Sequence, residues 1–235
     1  MVKLAANGIR STRPKTGWLQ IALKLALFAF TYLAAAWLSQ RLMMQPERIA
    51  VIWLPTGLGV AALLLCARRE CPGFALAAFA ANLVVDLLNG QALLPALGFA
   101  AITVLEIGLA AWILLRKVGQ PFTFITVRDI IWLCMVVFGL YPLTALLAAG
   151  WGLLTLNAPF DLTWLFWWVS QIVGLLLVMP VVVVWSERRA LEGLSRNERI
   201  TLGLVFMLLV GLCLFIFTLK PEHSGFIVAL PYVTY

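Results

Sequence analysis

Long apolar runs separated by short polar links are the feature that most constrains how this chain can fold. Hydrophobic residues make up 63% of its 235 residues and charged residues only 11%, against about 25% charged in soluble domains. A helix needs about 20 mostly apolar residues to cross a bilayer. Runs near that length predict spans at 18–40, 49–66, 71–89, 92–115, 129–150, 163–185 and 200–219.

The last apolar run, 225–235, is only half a span. The sequence therefore predicts an all-α membrane protein, a polytopic bundle of seven full transmembrane helices plus the start of an eighth. No repeat or linker divides the chain. Residues 18–235 are predicted to form one integral membrane domain, preceded by an N-terminal segment, 1–17.

Lysine and arginine in the links predict the orientation of the bundle. The chain has 17 Lys and Arg against 10 Asp and Glu, a formal net charge of +7. The cations concentrate in alternate links, on the side that receives segment 1–17: Arg68 and Arg69, Arg116 and Lys117 with Arg128, and Arg188, Arg189, Arg196 and Arg199. Because cytoplasmic loops carry an excess of Lys and Arg, the N-terminus is predicted to be cytoplasmic.

Neither catalysis nor metal binding is supported by the residue types present. The single histidine, His223, is predicted to lie in an outer link, so no nucleophile–histidine–acid set can form around it. There is no phosphate-binding glycine motif. The cysteines form no Cys-x-x-Cys pair and are predicted to be buried apolar thiols: Cys66, Cys71, Cys134 and Cys213. We predict no enzyme activity in this chain, no cofactor and no metal, and the absence of a basic patch with interleaved aromatics argues against nucleic acid.

The stretch Trp53-Leu54-Pro55-Thr56-Gly57 reads as a helix start at a membrane surface. Proline is tolerated in the first helical turn, and tryptophan favours the membrane–water interface. Gly57 and Gly59 allow close approach of a neighbouring helix. Two interpretations remain open: Trp53 anchors the helix, or it lines a binding site.

Polar residues inside the predicted spans share helix faces. Such residues are costly in a membrane and are functional candidates. They repeat at intervals of three, four or seven residues, which places each group on one face. The groups are Asn82, Asp86 and Asn89 on the third span, Thr103 and Glu106 on the fourth, and Trp167, Gln171 and Gly174 on the sixth.

Their expected depths suggest a shared cavity. At about 1.5 Å per residue, Asp86 and Trp53 lie about 5 Å below the outer surface, Asn82 and Gln171 about 10 Å, and Glu106 about 20 Å. We hypothesise that they converge on an outward-opening cavity. The alternative is that Asn82, Asp86 and Gln171 only form hydrogen bonds between helices. Glu106 must be neutral or paired at that depth.

Three further features leave alternatives open. The carboxyl of Glu106 could pair with Arg116 or with a group on the sixth span. Pro142 and Pro180 are predicted to interrupt and kink the fifth and sixth spans. An aromatic cluster on the sixth span is either an interfacial belt or a cage for an apolar or cationic ligand: Trp164, Phe166, Trp167 and Trp168.

Several short motifs together resemble a known family. Residues 52–57, Ile-Trp-Leu-Pro-Thr-Gly, are followed by a basic turn and by Cys71-Pro72-Gly73 leading to Asn82. Val104-Leu105-Glu106 precedes Leu114-Leu115-Arg116-Lys117. Residues 167–174, Trp-Trp-Val-Ser-Gln-Ile-Val-Gly, precede Pro180, and 226–231, Phe-Ile-Val-Ala-Leu-Pro, close the series. Their order and spacing resemble the type-one membrane-associated sensor (MASE) domain of bacteria, over nearly the whole chain after Gly17.

The resemblance implies an eight-span sensory input module of the bacterial inner membrane. Such modules precede a cytoplasmic diguanylate cyclase, cyclic-di-GMP phosphodiesterase or histidine kinase, and no output motif is present in this sequence. Its signature positions here are Pro55, Gly57, Gly174 and Pro180. The family commonly has an acidic residue where this chain has Gln171, and often Trp where it has Cys71.

We therefore predict a sensory domain that detects a periplasmic or intramembrane signal. Its candidate signal pocket is Trp53, Asn82, Asp86, Glu106, Trp167 and Gln171. The expected partners are membrane lipid, an unknown small-molecule or protein signal, and an output domain in the same chain or a partner membrane protein, with a homodimer as a further expectation by analogy. The alternatives are a small-molecule transporter or membrane substrate-binding subunit and, less favoured, a membrane scaffold.

Overall fold

The computed structural model describes residues 17–41, 43–44, 49–50, 52–119 and 127–186. Six helices are present in this part of the chain. They are α1 (Trp18–Arg41), α2 (Leu54–Leu65), α3 (Cys71–Leu88), α4 (Leu93–Lys117), α5 (Val127–Leu156) and α6 (Phe160–Ser186). Two short antiparallel strands, β1 (Met43–Met44) and β2 (Ile49–Ala50), precede α2.

The predicted helical membrane bundle is confirmed, but the predicted number of spans is not matched. Five of the described helices are long and apolar enough to cross a membrane, and α2 is too short. The predicted N-terminal segment, apart from Gly17, lies outside the described residues. So do the predicted seventh and eighth spans, at 200–219 and 225–235.

The second predicted span, 49–66, is wrong at its start. The helix covers only Leu54–Leu65, 12 residues, or about 18 Å against the roughly 30 Å of a hydrocarbon core. Pro55 fits the first turn of this helix, whereas in a helix that began at residue 49 its missing N–H would remove a backbone hydrogen bond. The preceding N–H groups bond outside the helix instead: Trp53 N–H donates to Ser170 O at 3.1 Å, and Leu54 N–H to Ser39 Oγ at 3.1 Å. The prediction from hydropathy did not separate the extended segment from the helix, because both are apolar.

This short helix lies at the centre of the bundle. It contacts α1, α3, α4 and α6, and most of its side chains are buried. Its closest partner is α6: a Cβ added at Gly57 would overlap Gly174 O, and one added at Gly174 would overlap Trp53 O. On another face, a Cβ at Gly59 would meet Ile107 Cδ1 at 2.7 Å. Small residues let these backbones touch.

Helix α5 passes through Pro142 by widening into a π-helical segment, Val136–Leu140. There Tyr141 N–H donates to Val136 O, five residues back. The next bond in this register would run from residue 142 to Val137 O, but proline has no N–H. Trp168 Nε1 of α6 donates to Val137 O instead, at 2.9 Å. Helix α5 is therefore continuous past Pro142, where an interruption was predicted. Helix α6 also continues through Pro180.

The two ends of the bundle differ in charge. We call the end that carries Arg68, Arg69, Arg116, Lys117 and Arg128 the basic end; α2 and α4 end there, and α3 and α5 begin there. Its groups contact one another: the Arg128 guanidinium donates to Lys117 O, and Lys117 Nζ lies 5.0 Å from the centre of the Trp132 ring.

An ion pair also lies at the basic end. Lys24 Nζ is 3.6 Å from Glu70 Oε2, whose side chain is only 3% exposed. Lys24 thus neutralises a buried carboxylate. Beside this pair, Cys66 Sγ and Cys71 Sγ are 3.0 Å apart as free thiols. Both are partly buried and Cys134 is exposed, so the prediction of buried thiols is wrong for these three; Cys213 lies outside the described residues.

Candidate functional site

A cavity of about 830 Å³ opens at the end of the bundle opposite the basic end. All six helices, or the residues beside them, contribute to its walls, and the links after α3 and α5 form its rim at 89–92 and 157–159. Cavities of about 300–1,000 Å³ are typical of small-molecule sites. The short α2 begins at this end of the bundle, and Trp53, the residue before it, lines the cavity.

The lining is polar and aromatic. Among the described lining residues, one carries a carboxyl group, Asp86, and none is Lys, Arg or His. Amides are the most frequent polar groups: Gln40, Asn82, Asn89, Gln91, Asn157 and Gln171. Aromatic rings come from Trp53, Phe99 and Trp167. The cavity therefore offers hydrogen bonds and ring faces with no side-chain positive charge from the described wall.

The α3 wall carries an amide with a free acceptor. Asn82 Nδ2 donates to Tyr32 Oη at 2.9 Å and to Ala78 O at 3.0 Å. Both donor positions are used, while Asn82 Oδ1 has no hydrogen-bond partner among the described residues, although Asn82 is only 2% exposed. One turn further, Gln40 Nε2 lies 3.4 Å from Asp86 Oδ1.

The seam between α2 and α6 forms another wall. Thr56 Oγ1 donates to Gln171 Oε1, and both residues are buried. Trp53 N–H is held by Ser170 O, but its indole Nε1 has no partner among the described residues. Trp53 is thus fixed through its backbone and not through its buried indole N–H.

Glu106 lies behind the lining on α4 and is fully buried. Thr144 Oγ1 of α5 donates to Glu106 Oε2 at 2.5 Å, and Trp167 Nε1 of α6 lies 3.4 Å from the same oxygen. Glu106 Oε1 has no described partner. The Trp167 ring lines the cavity and stacks on Phe99, with ring centroids 5.4 Å apart. Trp167 therefore links the cavity wall to the buried carboxyl.

The family model of MASE1 matches residues 22–234. The chain belongs to the MASE1 family of membrane-associated sensor domains. No curated protein and no solved structure matches the chain. The resemblance read from short motifs is confirmed over nearly the same extent, and this MASE1 domain is a membrane sensory input domain.

The MASE1 structure brings together five of the six pocket residues proposed from the sequence. Trp53, Asn82, Asp86, Trp167 and Gln171 all line the cavity. The sixth, Glu106, does not line the cavity and lies behind the Trp167 side chain, whose Nε1 is 3.4 Å from Glu106 Oε2. Of the four signature positions, Gly57 and Gly174 pack α2 against α6, Pro55 is buried in the first turn of α2, and Pro180 lies farther along α6.

The structure also distinguishes between alternatives for single residues. Glu106 takes a partner from the sixth predicted span, Trp167, whereas the Arg116 guanidinium lies 5.1 Å from the centre of the Trp112 ring. In the aromatic cluster, Trp164 Nε1 donates to Pro142 O at 3.0 Å. Together with the bond from Trp168 to Val137 O, this ties α6 to α5 beside the π-helical segment.

Several lining or supporting residues were missed at the sequence level. Phe99 precedes Thr103 and Glu106 by four and seven residues, so extending that helix face backwards would have found it. Ser170 adjoins Gln171, and Gln40 ends the first apolar run. Thr144, the partner of Glu106, carried no signal because a lone threonine in a span most often bonds its own helix.

Within residues 17–41, 52–119 and 127–186, no three His, Cys, Asp or Glu side chains are grouped to hold a metal ion. The described lining likewise contains no cysteine or histidine. The chemistry that this arrangement supports is reversible binding through hydrogen bonds, a carboxyl group and aromatic faces.

Proposed function

We propose that this MASE1 domain receives a small-molecule signal in its cavity, from the periplasmic side of a bacterial inner membrane. The signal passes to a cytoplasmic output: a diguanylate cyclase, a cyclic-di-GMP phosphodiesterase or a histidine kinase. The observation that carries the proposal is the cavity itself, which is lined by residues in or next to all six described helices, in a family of membrane sensors.

Charge supports the orientation. Arg68, Arg69, Arg116, Lys117 and Arg128 share the basic end, and cytoplasmic loops are enriched in such residues. The cavity opens at the opposite end, so the proposal assigns it to the periplasm. With the basic end in the cytoplasm, α1 begins on the cytoplasmic side. The proposal therefore also assigns the N-terminal segment to the cytoplasm.

The contact between α2 and α6 supports a route for the signal. Helix α6 contributes Trp167, Ser170 and Gln171 to the cavity and runs from its rim towards the basic end. The backbones of α2 and α6 touch at Gly57 and Gly174, so a shift of one helix displaces the other. In this proposal the helices have two packing arrangements. A ligand changes the output only as far as its affinity differs between the two arrangements.

The test places the full chain ahead of a diguanylate cyclase reporter in a bacterium that lacks its own cyclases. Ser170→Trp fills part of the cavity, whereas Leu76→Trp alters a side chain that is 68% exposed on α3 and should face lipid. We expect Ser170→Trp to change cyclic-di-GMP at least threefold at equal membrane levels, and Leu76→Trp to leave it unchanged.

Equal output from both variants and the parent would contradict the proposal. Solute flux through proteoliposomes containing the purified chain, together with an unresponsive reporter, would favour transport instead. Fusion of alkaline phosphatase to the link at 89–91 tests the orientation separately. Activity there is expected, because the enzyme is active only after export to the periplasm.

A further inference from the structure

We propose that the ligand of the cavity is a small organic cation, an ammonium group carried on an apolar body. This rests on the proposed function, because it names the chemistry of the signal. Four features of the described residues carry it: charge, unpaired acceptors, aromatic faces and volume.

The charge of the wall selects against anions. Asp86 lines the cavity and Glu106 lies behind it, and neither has an ion-pair partner among the described residues, where the ion pair found is Lys24–Glu70. A buried carboxyl group is costly in its charged form unless a counter-charge lies near, and without one it is favoured as the neutral acid. A bound ammonium group supplies that counter-charge.

Helix dipoles do not reverse this preference. The N-termini of α2, α4 and α6 lie at the cavity end, but the C-termini of α1, α3 and α5 lie there too. The partial charges at the two kinds of terminus are of opposite sign and similar size. The side-chain carboxyl groups therefore set the charge of the site.

Among the described residues, four buried polar atoms have no hydrogen-bond partner: the acceptors Asn82 Oδ1 and Glu106 Oε1, the Trp53 indole N–H and the Tyr141 hydroxyl. Of the two acceptors, Asn82 Oδ1 belongs to a residue that lines the cavity. Both amide hydrogens of Asn82 are engaged by Tyr32 Oη and Ala78 O. An alkylammonium group has three N–H donors and no acceptor. It can donate to Asp86, and the buried acceptor Asn82 Oδ1 lies one helical turn away on α3.

The aromatic wall suits the remainder of such a molecule. Phe99 and Trp167 stack with an interplanar angle of 26°, and both line the cavity with Trp53. Ring faces attract cations and bury apolar groups. A volume of about 830 Å³ is far more than a proton or a bare metal ion requires. These observations favour an organic cation over an inorganic one.

The test is calorimetric titration of the purified full chain in nanodiscs, with four probes of similar size. Phenethylammonium and its N-trimethyl analogue are cations, 2-phenylethanol is neutral and phenylacetate is anionic. We expect phenethylammonium to bind at least tenfold more tightly than the alcohol, and phenylacetate to bind least. The N-trimethyl analogue should bind more weakly than phenethylammonium, because it cannot donate to Asp86.

Two variants locate the binding. Asp86→Asn removes the lining carboxyl with little change of shape and should weaken phenethylammonium at least tenfold. Asp161→Asn removes a carboxyl from the exposed first turn of α6, outside the lining, and should leave the dissociation constant unchanged. Gel filtration confirms that both variants remain folded.

Equal binding of the cation and the alcohol, tighter binding of phenylacetate, or no binding of either cation would overturn the proposal. So would equal losses in the two variants. The reporter assay separates this outcome from failure of the sensory function. If Ser170→Trp changes output while neither cation binds, the domain is a sensor of another ligand; if the cation binds and output never changes, the site is real and the sensory role is wrong.

Discussion

Buried carboxyl groups are treated in opposite ways at the two ends of the bundle. At the basic end, Glu70 is almost fully buried and has the Lys24 ammonium 3.6 Å away. Nearer the cavity end, Asp86 and Glu106 receive hydrogen bonds but no counter-charge among the described residues. At the basic end, one of the protein's own side chains supplies the counter-charge. At the cavity end, the carboxyl groups have no counter-charge, and two acceptor oxygens have no donor, among the described residues. A ligand site needs such unmatched groups, because a fully satisfied wall gains little from binding.

Packing between α2 and α6, which run between the two ends, gives the largest expected effect. Gly174→Ala would place a Cβ against the backbone of Trp53, which cannot rotate away. We expect a loss of about 3 kcal/mol in the free energy of unfolding, the upper range for overpacking. Unfolding by SDS in mixed micelles measures it.

Gly108→Ala is the matched control, because its Cβ would meet nothing within 4 Å on α4. Alanine is the better helix former by up to about 1 kcal/mol, so this variant should match or exceed the parent. Equal losses in both variants would show that the backbones of α2 and α6 are not in the close contact described above.

The π-helical segment gives the next effect. Trp168→Phe removes the donor that serves Val137 O in place of Pro142, and leaving a buried carbonyl unsatisfied costs about 1–3 kcal/mol. Trp164→Phe should cost less, because Pro142 O lies within a helix that can still supply a donor.

A double-mutant cycle with Pro142→Ala checks the cause. Alanine restores an N–H at position 142, so the cost of Trp168→Phe should fall in that background, again measured by SDS unfolding. If the two costs are the same, the indole N–H does not replace the missing backbone donor.

Removing a carboxyl should have opposite effects at the two ends. Glu70→Gln gives up the pair with Lys24 and should destabilise the protein by about 1 kcal/mol, a modest value because Lys24 is half exposed. Asp86→Asn removes an uncompensated group and should stabilise the ligand-free protein by about 1 kcal/mol. Thermal unfolding of ligand-free protein in detergent measures both, and shifts of the same sign would contradict the comparison.

The smallest effect concerns the thiols at the basic end. Burial, together with a hydrogen bond to Cys71, raises the pKa of the Cys66 thiol to about 12. Alkylation requires the thiolate, so the rate at Cys66 should rise about tenfold per pH unit from pH 7 to 9 without a plateau. Peptide mass spectrometry follows the rate. A slope that falls well below tenfold per pH unit around pH 8.5, the pKa of a free cysteine, would show an exposed, ordinary thiol.

Hydropathy predicted the long helices well because composition alone determines their stability in lipid. The ends of α1, α3, α4 and α6 lie within a few residues of the predicted bounds. The start of α2 failed because Ile49 to Ile52 is as apolar as the helix that follows, and only tertiary bonds from Trp53 and Leu54 show where the helix begins.

The candidate site was partly predictable for a related reason. Spacing placed Asn82 with Asp86 and Trp167 with Gln171 on shared faces, and topology placed those faces near the same depth. Spacing could not show that Thr56 forms a hydrogen bond with Gln171, or Thr144 with Glu106. Each pair joins two helices that are far apart in sequence. Pairings of that kind depend on how the helices rotate against one another.

The most direct test of a cation-accepting cavity on the outer side uses a cysteine inside it. Ser170→Cys is placed in a chain whose native cysteines are replaced by alanine, and intact cells are treated with trimethylammonium-ethyl or sulfonatoethyl methanethiosulfonate. Neither reagent crosses the membrane, and the two have opposite charges. We expect labelling from outside, at least tenfold faster with the cationic reagent after correction for the intrinsic rates. Labelling only in inverted vesicles, or equal corrected rates for the two reagents, would contradict the account.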